Sequence, residues 1–87
     1  LANYFLINWK RQQMQNQDVK TEITGIVWKI EASIGDELVE DDVIMILESM
    51  KMEIPVMAPC DGKLTEIHVA EGDQVIEDQT VAILISK

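Results

Sequence analysis

The sequence predicts an all-β fold, a flattened β-barrel or sandwich of two pseudo-two-fold-related four-strand repeats, preceded by a short N-terminal extension. Three observations predict it. Short apolar runs alternate with turn residues from residue 21 onward, no sustained helical period follows that point, and the runs fall into two similar halves. The chain has 87 residues, which is enough for one small domain but not for two.

The first twenty residues differ in chemistry from the rest, so we assign 1–20 to an N-terminal extension or linker and 21–87 to the folded domain. Leu1, Phe5 and Trp9 recur at four-residue spacing, which suits a short helix with one apolar stripe. A helix of this length is marginal in isolation. A linker and a docking segment for a partner are both compatible with this composition.

Five runs in the remainder have the length and composition of β-strands, and turn residues separate them. Several are rich in Val and Ile, which favour extended backbone. The runs are 25–32 (GIVWKIEA), 42–48 (DVIMILE), 53–58 (EIPVMA), 62–70 (GKLTEIHVA) and 80–86 (TVAILIS).

These runs belong to an internal repeat. The stretch GIVWKIEASIGDELVEDD, which starts at Gly25, matches GKLTEIHVAEGDQVIEDQ, which starts at Gly62. Each copy is too small to bury its own apolar face, so we expect the two copies to pack against each other. The aligned Gly-Asp pairs at Gly35 and Gly72 fit turns that need a positive φ, and Asp41 and Asp78 fill the next turns less easily.

The charge of the chain excludes two classes of partner. Sixteen acidic residues against seven basic ones give a net charge of −9, whereas nucleic acids and anionic membranes recruit positively charged surfaces. No run approaches the roughly 20 apolar residues of a membrane-spanning helix. The first residues also lack the charged, apolar and small-residue order of a secretory signal. We therefore expect an intracellular protein, cytoplasmic or, in a eukaryote, in the mitochondrial matrix.

The reactive side chains do not form a catalytic or metal-binding pattern. Cys60 is the single cysteine and has no ligand partner at metal-binding spacing, so a packing or surface role is expected. His68 is the single histidine and alternates with apolar neighbours, as a solvent-facing strand residue does. Without a nucleophile and base pair, the chain is predicted to be no enzyme by itself.

One short stretch breaks the rules of turn chemistry. In ILESMKMEIP, residues 46–55, two predicted strands flank a connection that holds Met50, Lys51 and Met52. Tight hairpins prefer Asn-Gly, Asp-Gly or Gly-Gly because their central residues need a positive φ. A broken local rule beside two apolar side chains indicates a functional constraint on the turn. An exposed lysine that serves only solubility is the alternative.

The segment ESMKME, followed by APCDG, resembles the attachment site of biotinyl domains, whose usual form is Ala-Met-Lys-Met with Ser49 here in place of the alanine. The resemblance covers residues 22–87 and includes both Gly-Asp turns. It implies the barrel-sandwich fold and covalent biotin on Lys51, added by a biotin protein ligase. It also implies that Glu48, Ser49, Met50 and Met52 flank the lysine as recognition residues.

The same resemblance implies a carrier that moves carboxyl groups between the biotin carboxylase and carboxyltransferase domains or subunits of a biotin-dependent carboxylase or decarboxylase. Two alternatives stay open. A lipoyl domain shares the architecture but usually has Asp before the lysine and Ala after it, and an unmodified barrel-sandwich adaptor needs no lysine there. The sequence departs from biotinyl domains at TEITG, where APMPG is common, and at Asp41 and Asp78, where glycine is common.

Overall fold

A computed structural model describes residues 16–86, and within them every regular element is a β-strand. The predicted apolar stripe of Leu1, Phe5 and Trp9 lies outside the described residues. Eight strands are present: β1 (Asn16–Lys20), β2 (Gly25–Ile30), β3 (Glu37–Leu38), β4 (Val43–Ser49), β5 (Met52–Met57), β6 (Gly62–Ile67), β7 (Gln74–Val75) and β8 (Thr80–Ser86). The all-β prediction is confirmed.

The strands form two four-stranded sheets whose neighbouring strands are all antiparallel. One sheet has the order β5-β4-β2-β7 and is called the hairpin sheet here, because β4 and β5 are joined by the turn that holds Lys51. The other has the order β1-β8-β6-β3 and is called the terminal sheet, because it contains the first and last strands. The described part of the chain has no helix that could cross a membrane.

The two sheets reproduce the sequence repeat strand by strand. An offset of 37 residues, read from Gly25 and Gly62, maps β1 to β4 onto β5 to β8. The pairing register follows the same offset, because Asn16 pairs with Ile85 as Glu53 pairs with Glu48. Each sheet contains strands from both repeats, so neither repeat has a complete sheet of its own. The predicted pseudo-two-fold fold is therefore confirmed.

Three strands lie outside the five runs predicted from the sequence: the two-residue strands β3 and β7, and β1, because the sequence assigns residues 16–20 to the extension. The sequence of β1, NQDVK, has one apolar residue, Val19, which is buried in the core. The strand lies at a sheet edge and is held by its pairing with β8. Applying the repeat offset to β5 would have located it, because the alignment starting at Gly25 omits the first strand of each copy.

The core consists of symmetry-related apolar side chains from both sheets. Leu47 of β4 and its equivalent Leu84 of β8 have no exposed surface, and the same holds for Leu64, whose equivalent Val27 is 1% exposed. Cys60 is half-buried and packs against this core. His68 is exposed, one residue beyond the end of β6, and its Nε2 lies 3.1 Å from Glu66 Oε1. Burial of matched side chains from both copies makes each repeat depend on the other.

The predicted turns have the expected backbone. Gly35 and Gly72 adopt φ values of 98° and 94°. Their N–H groups donate to the carbonyl oxygens of Leu64 and Val27, which belong to the opposite repeat. Asp41 and Asp78 also have positive φ, 74° and 69°, which costs a residue with a Cβ more than glycine. These turns therefore hydrogen bond one copy to the other while fixing the ends of the short strands.

The symmetry of the core predicts matched losses of stability. Leu47→Ala and Leu84→Ala should each lower the free energy of unfolding by about 3 kcal/mol, because each removes a fully buried side chain and leaves a cavity. Ile34→Ala, at a side chain that is 63% exposed, is the control and should cost less than about 0.5 kcal/mol. Urea unfolding followed by circular dichroism measures all three. A loss below 1 kcal/mol for either leucine would contradict the shared core.

Candidate functional site

The candidate site is the hairpin between β4 and β5, which also joins the two repeats. Its strands pair in register from Val43 with Met57 up to Ser49 with Met52. Met50 and Lys51 are the two residues left to form the turn. All five residues predicted from the sequence, Glu48 to Met52, therefore follow one another at the end of β4, in the turn and at the start of β5.

Both turn residues have a left-handed backbone. The φ angles are 52° at Met50 and 64° at Lys51, and positive φ at both central residues is the property of type I′ hairpin turns, whose twist matches that of the flanking strands. For residues with a Cβ this region costs roughly 1–2 kcal/mol each. Asn-Gly would be more stable at these two positions, so backbone stability does not explain why methionine and lysine stand there.

The side chains of the turn extend into solvent. Lys51 is exposed, Met50 is 92% exposed and Met52 is 61% exposed. No acidic residue in the described part of the chain forms an ion pair with the Lys51 amine, whereas Lys29 Nζ lies 3.8 Å from Glu31 Oε1. The Lys51 amine is therefore accessible to a macromolecule approaching from outside.

Two glutamates lie immediately below the turn. Glu48 on β4 pairs with Glu53 on β5, and both side chains are exposed. Like charges on directly opposite strand residues repel each other, so this pair does not contribute to folding. The hairpin therefore carries two negative charges just below a single positive charge, that of Lys51.

The hairpin is supported from below by β2, a feature that the sequence analysis did not identify. A Cβ on Gly25 would lie 2.7 Å from the carbonyl oxygen of Glu48, closer than real contacts allow. The backbones of β2 and β4 therefore approach each other closely at the base of the turn. Below this contact Val27 pairs with Leu47, and both are buried. The position of Gly25 at the start of its repeat was the signal that could have revealed this role.

The site is a projecting tip and not a pocket. A cleft of about 300 Å³ opens between the edge strands β1 and β5, and its lining includes Val19, Ile54 and Val56 but no residue from 48 to 52. Within residues 16–86 no group of three His, Cys, Asp or Glu side chains is placed to hold a metal ion. The geometry thus suits an amine that is acted on by another protein.

The sequence of the chain is similar to sequences of known proteins. A family model described as "Biotin-requiring enzyme" matches residues 12–84. A protein of Mycobacterium leprae named "Biotinylated protein TB7.3 homolog" is 43% identical over 54 residues, which are 62% of this chain and 76% of the relative. A "Biotin/lipoyl attachment protein" of Bacillus subtilis is 41% identical over 53 residues, covering 61% of this chain and 73% of the relative.

Two solved structures have the same fold. In the urea carboxylase of Kluyveromyces lactis the match has a TM-score of 0.77 and 34% identity, and it covers 80% of this chain but 6% of the enzyme. In a single-chain, multi-domain long-chain acyl-CoA carboxylase the TM-score is 0.78 at 19% identity, covering 83% of this chain and 7% of the other. The second likeness concerns the fold alone. This chain corresponds to a small part of each of these large proteins.

The strained turn predicts that one substitution stabilises the hairpin. Met50→Asn should raise the free energy of unfolding by roughly 0.5–1 kcal/mol, because asparagine tolerates the left-handed region better than methionine. Met52→Asn is the matched control. It replaces another exposed methionine, on the other side of Lys51, at a strand residue that does not have a positive φ. Urea unfolding should show no gain for the control. An equal gain for both would show that backbone strain is not the cause.

Proposed function

Since the chain belongs to the biotin/lipoyl attachment family, we propose that it is a biotin carboxyl carrier domain and that Lys51 is the residue that carries biotin. The observation that supports this most strongly is the exposed Lys51 amine at the apex of a two-residue turn, between two exposed methionines. In this proposal the carrier comprises residues 21–87 together with β1, Asn16–Lys20, which the sequence assigns to the extension but which pairs with β8 in the terminal sheet.

The Lys51 site fits covalent biotin. Attachment requires the lysine nitrogen to form an amide with the carboxyl group of biotin, so the amine must be reachable and must not be held in an internal ion pair. Both conditions are met in the described part of the chain. A biotin protein ligase would supply biotinyl-adenylate, from which AMP would leave as the amide forms, and would accept the proton of the amine, because the hairpin offers no base beside it except the carboxylates of Glu48 and Glu53.

In this proposal the chain distinguishes one lysine from the others and holds that lysine exposed to the enzymes that act on it. Three other lysines lie in 21–87 with Lys51, namely Lys29, Lys63 and Lys87. Fixed geometry at the apex of a paired hairpin distinguishes Lys51 better than local sequence alone could. Met50 and Met52 are flexible and apolar, so they can contact enzymes of different shape. Glu48 and Ser49 complete the recognition segment.

The attached group supplies the carboxyl-carrying chemistry. The protein keeps the group tethered and thereby raises its local concentration at two active sites. We assign these sites to a biotin carboxylase and a carboxyltransferase, as domains or subunits of a biotin-dependent carboxylase or decarboxylase, and we assign no catalytic step to this chain. We place the protein in the cytoplasm, or in the mitochondrial matrix of a eukaryote.

A lipoyl carrier is the second candidate, because the Bacillus subtilis relative is named a biotin/lipoyl attachment protein. Met50 and Met52 argue against it, since lipoyl domains usually have Asp before the lysine and Ala after it. An unmodified structural adaptor is the third candidate, although it gives no reason for a strained lysine turn.

Intact mass separates the three candidates. The full chain, co-expressed with a biotin protein ligase and supplied with biotin and lipoate, should gain the mass of one biotinyl group. Lys51→Arg should gain nothing while keeping its circular dichroism spectrum, because the substituted side chain is exposed and not packed. Lys63→Arg, at an exposed lysine in the terminal sheet, is the control and should be labelled fully. Biotin on the Lys51→Arg variant, or a lipoyl group on the wild type, would contradict the proposal.

A further inference from the structure

The outer surface of the hairpin sheet is apolar, although it faces water. Val27, Leu47 and Val56 point into the core, so the residues that alternate with them point outward. Ile26 is 51% exposed, Trp28 50%, Met57 46% and Val43 38%. Together with Ile46 and Pro55 these four residues form what we call the hairpin-sheet face: Ile26, Trp28, Val43, Ile46, Pro55 and Met57.

Strand register joins these residues into one surface. Ile46 pairs with Pro55 and Val43 pairs with Met57 across the β4–β5 ladder. On the other side of β4, Ile46 pairs with Lys29, and the bulge between Val27 and Lys29 leaves the exposed Trp28 as the extra residue beside this pair. The face also reaches the lysine turn, because Ile26 pairs with Glu48. A continuous apolar strip therefore runs from the base of the hairpin along the sheet.

The terminal sheet provides an internal comparison, because it has the same backbone and the same register. At the positions equivalent to five residues of the hairpin-sheet face it carries polar side chains: Lys63 for Ile26, Thr65 for Trp28, Thr80 for Val43, Asp18 for Pro55 and Lys20 for Met57. The fold thus accommodates polar residues at all five places. Since large exposed apolar surfaces mark interaction sites, the difference indicates that the hairpin-sheet face binds something.

The proposed carrier function limits which partner could bind the hairpin-sheet face. An unmodified lysine side chain extends roughly 6 Å from the backbone, as five bonds of about 1.5 Å allow. An enzyme that acts on that amine must therefore press closely against the turn and the adjoining sheet. An enzyme that acts on the far end of an attached group can stand farther away. Among possible binding partners, the enzyme that modifies the bare lysine therefore depends most on contact with the hairpin-sheet face.

The charges around the hairpin-sheet face predict the charge of the partner surface that binds it. Glu48 and Glu53 lie at its hairpin end and Glu31 just beyond the end of β2. Lys29, which pairs with Ile46 and so lies next to the face, has its Nζ 3.8 Å from Glu31 Oε1. A complementary surface would be apolar at its centre and lined with lysine or arginine at its rim.

We propose that the hairpin-sheet face is the docking surface for the biotin protein ligase and that Trp28 is its central contact. This inference rests on the proposed function, because it requires Lys51 to be the residue that the ligase modifies. Trp28 positions the amine through binding and takes no part in the chemistry. Aromatic residues at the centre of an apolar surface commonly contribute most of the binding free energy.

Steady-state biotinylation of the full chain by a purified biotin protein ligase, with ATP and biotin, tests the proposal. Trp28→Thr and Ile26→Lys each introduce the residue found at the equivalent place in the terminal sheet. Each should raise the KM for the protein substrate by about tenfold while kcat stays within about twofold, because a docking contact is lost and the turn is unchanged. Trp28→Phe should recover most of the wild-type KM.

Matched variants away from the face control for general effects. Ile34→Thr removes a similarly exposed apolar side chain, and Thr65→Lys adds the same charge to the terminal sheet. Both should leave KM unchanged. A KM for Trp28→Thr within twofold of wild type would overturn the inference while leaving the proposed function intact. A wild-type chain that accepts no biotin would defeat the proposed function itself.

A second measurement asks whether the face is open in the isolated protein. Trp9→Phe leaves Trp28 as the single tryptophan of the full chain. Acrylamide should then quench its fluorescence efficiently and to the same extent at all protein concentrations. Protection that is independent of concentration would mean that residues 1–15 cover the face, and protection that grows with concentration would mean that a second copy does. Either result would overturn the assignment to the ligase.

Discussion

The lysine turn depends on one constraint: β4 is hydrogen bonded along both of its edges. Glu48, two residues before the turn, pairs with Ile26 on one side and with Glu53 on the other. On the inner face Leu47 is fully buried against the core. Fraying of the hairpin would therefore break two ladders and expose core surface, which is why two residues with unfavourable φ angles can be held at its apex.

Connectivity, and not pairing, makes this turn occur once although the scaffold is duplicated, because β8 is likewise paired along both of its edges, with β1 and β6. The hairpin is the link between the last strand of the first repeat and the first strand of the second. At the symmetry-related place, between β8 and β1, lie the last and first strands in chain order. The fold thus repeats its core and its short turns, while the lysine hairpin and the apolar face beside it occur once. These two unrepeated features lie on the same sheet.

Charge and geometry act together on the choice of amine. Residues 16–86 hold all sixteen acidic residues of the chain and four lysines. Such a surface repels anionic polymers and leaves few amines to compete. Lys29 is engaged with Glu31, whereas Lys51 extends from a turn with no acidic partner in the described part of the chain. In the proposed carrier, the position of Lys51 at the apex of the turn would contribute to its recognition as much as the residues next to it.

The sequence by itself determined the features that depend on local backbone sterics and on self-similarity. The repeat starting at Gly25 and Gly62 predicted the two-fold fold, and the Gly-Asp pairs predicted turns with positive φ, because a residue without a Cβ is needed there whatever surrounds it. The length of the connection between two strands predicted that Lys51 lies at a hairpin tip. These conclusions required no knowledge of which strands are neighbours.

Only the tertiary structure decided what depends on pairing between distant residues. β1 has one apolar side chain and forms because β8 lies beside it, and Gly25 supports the hairpin because β4 passes close to it. The strand GIVWKI has apolar residues on both of its faces, so alternation could not tell whether Trp28 is inside or outside. Pairing with β4 places Val27 inside, opposite the buried Leu47, and so places Trp28 outside. Register is a property of two strands together, and one strand's sequence does not contain it.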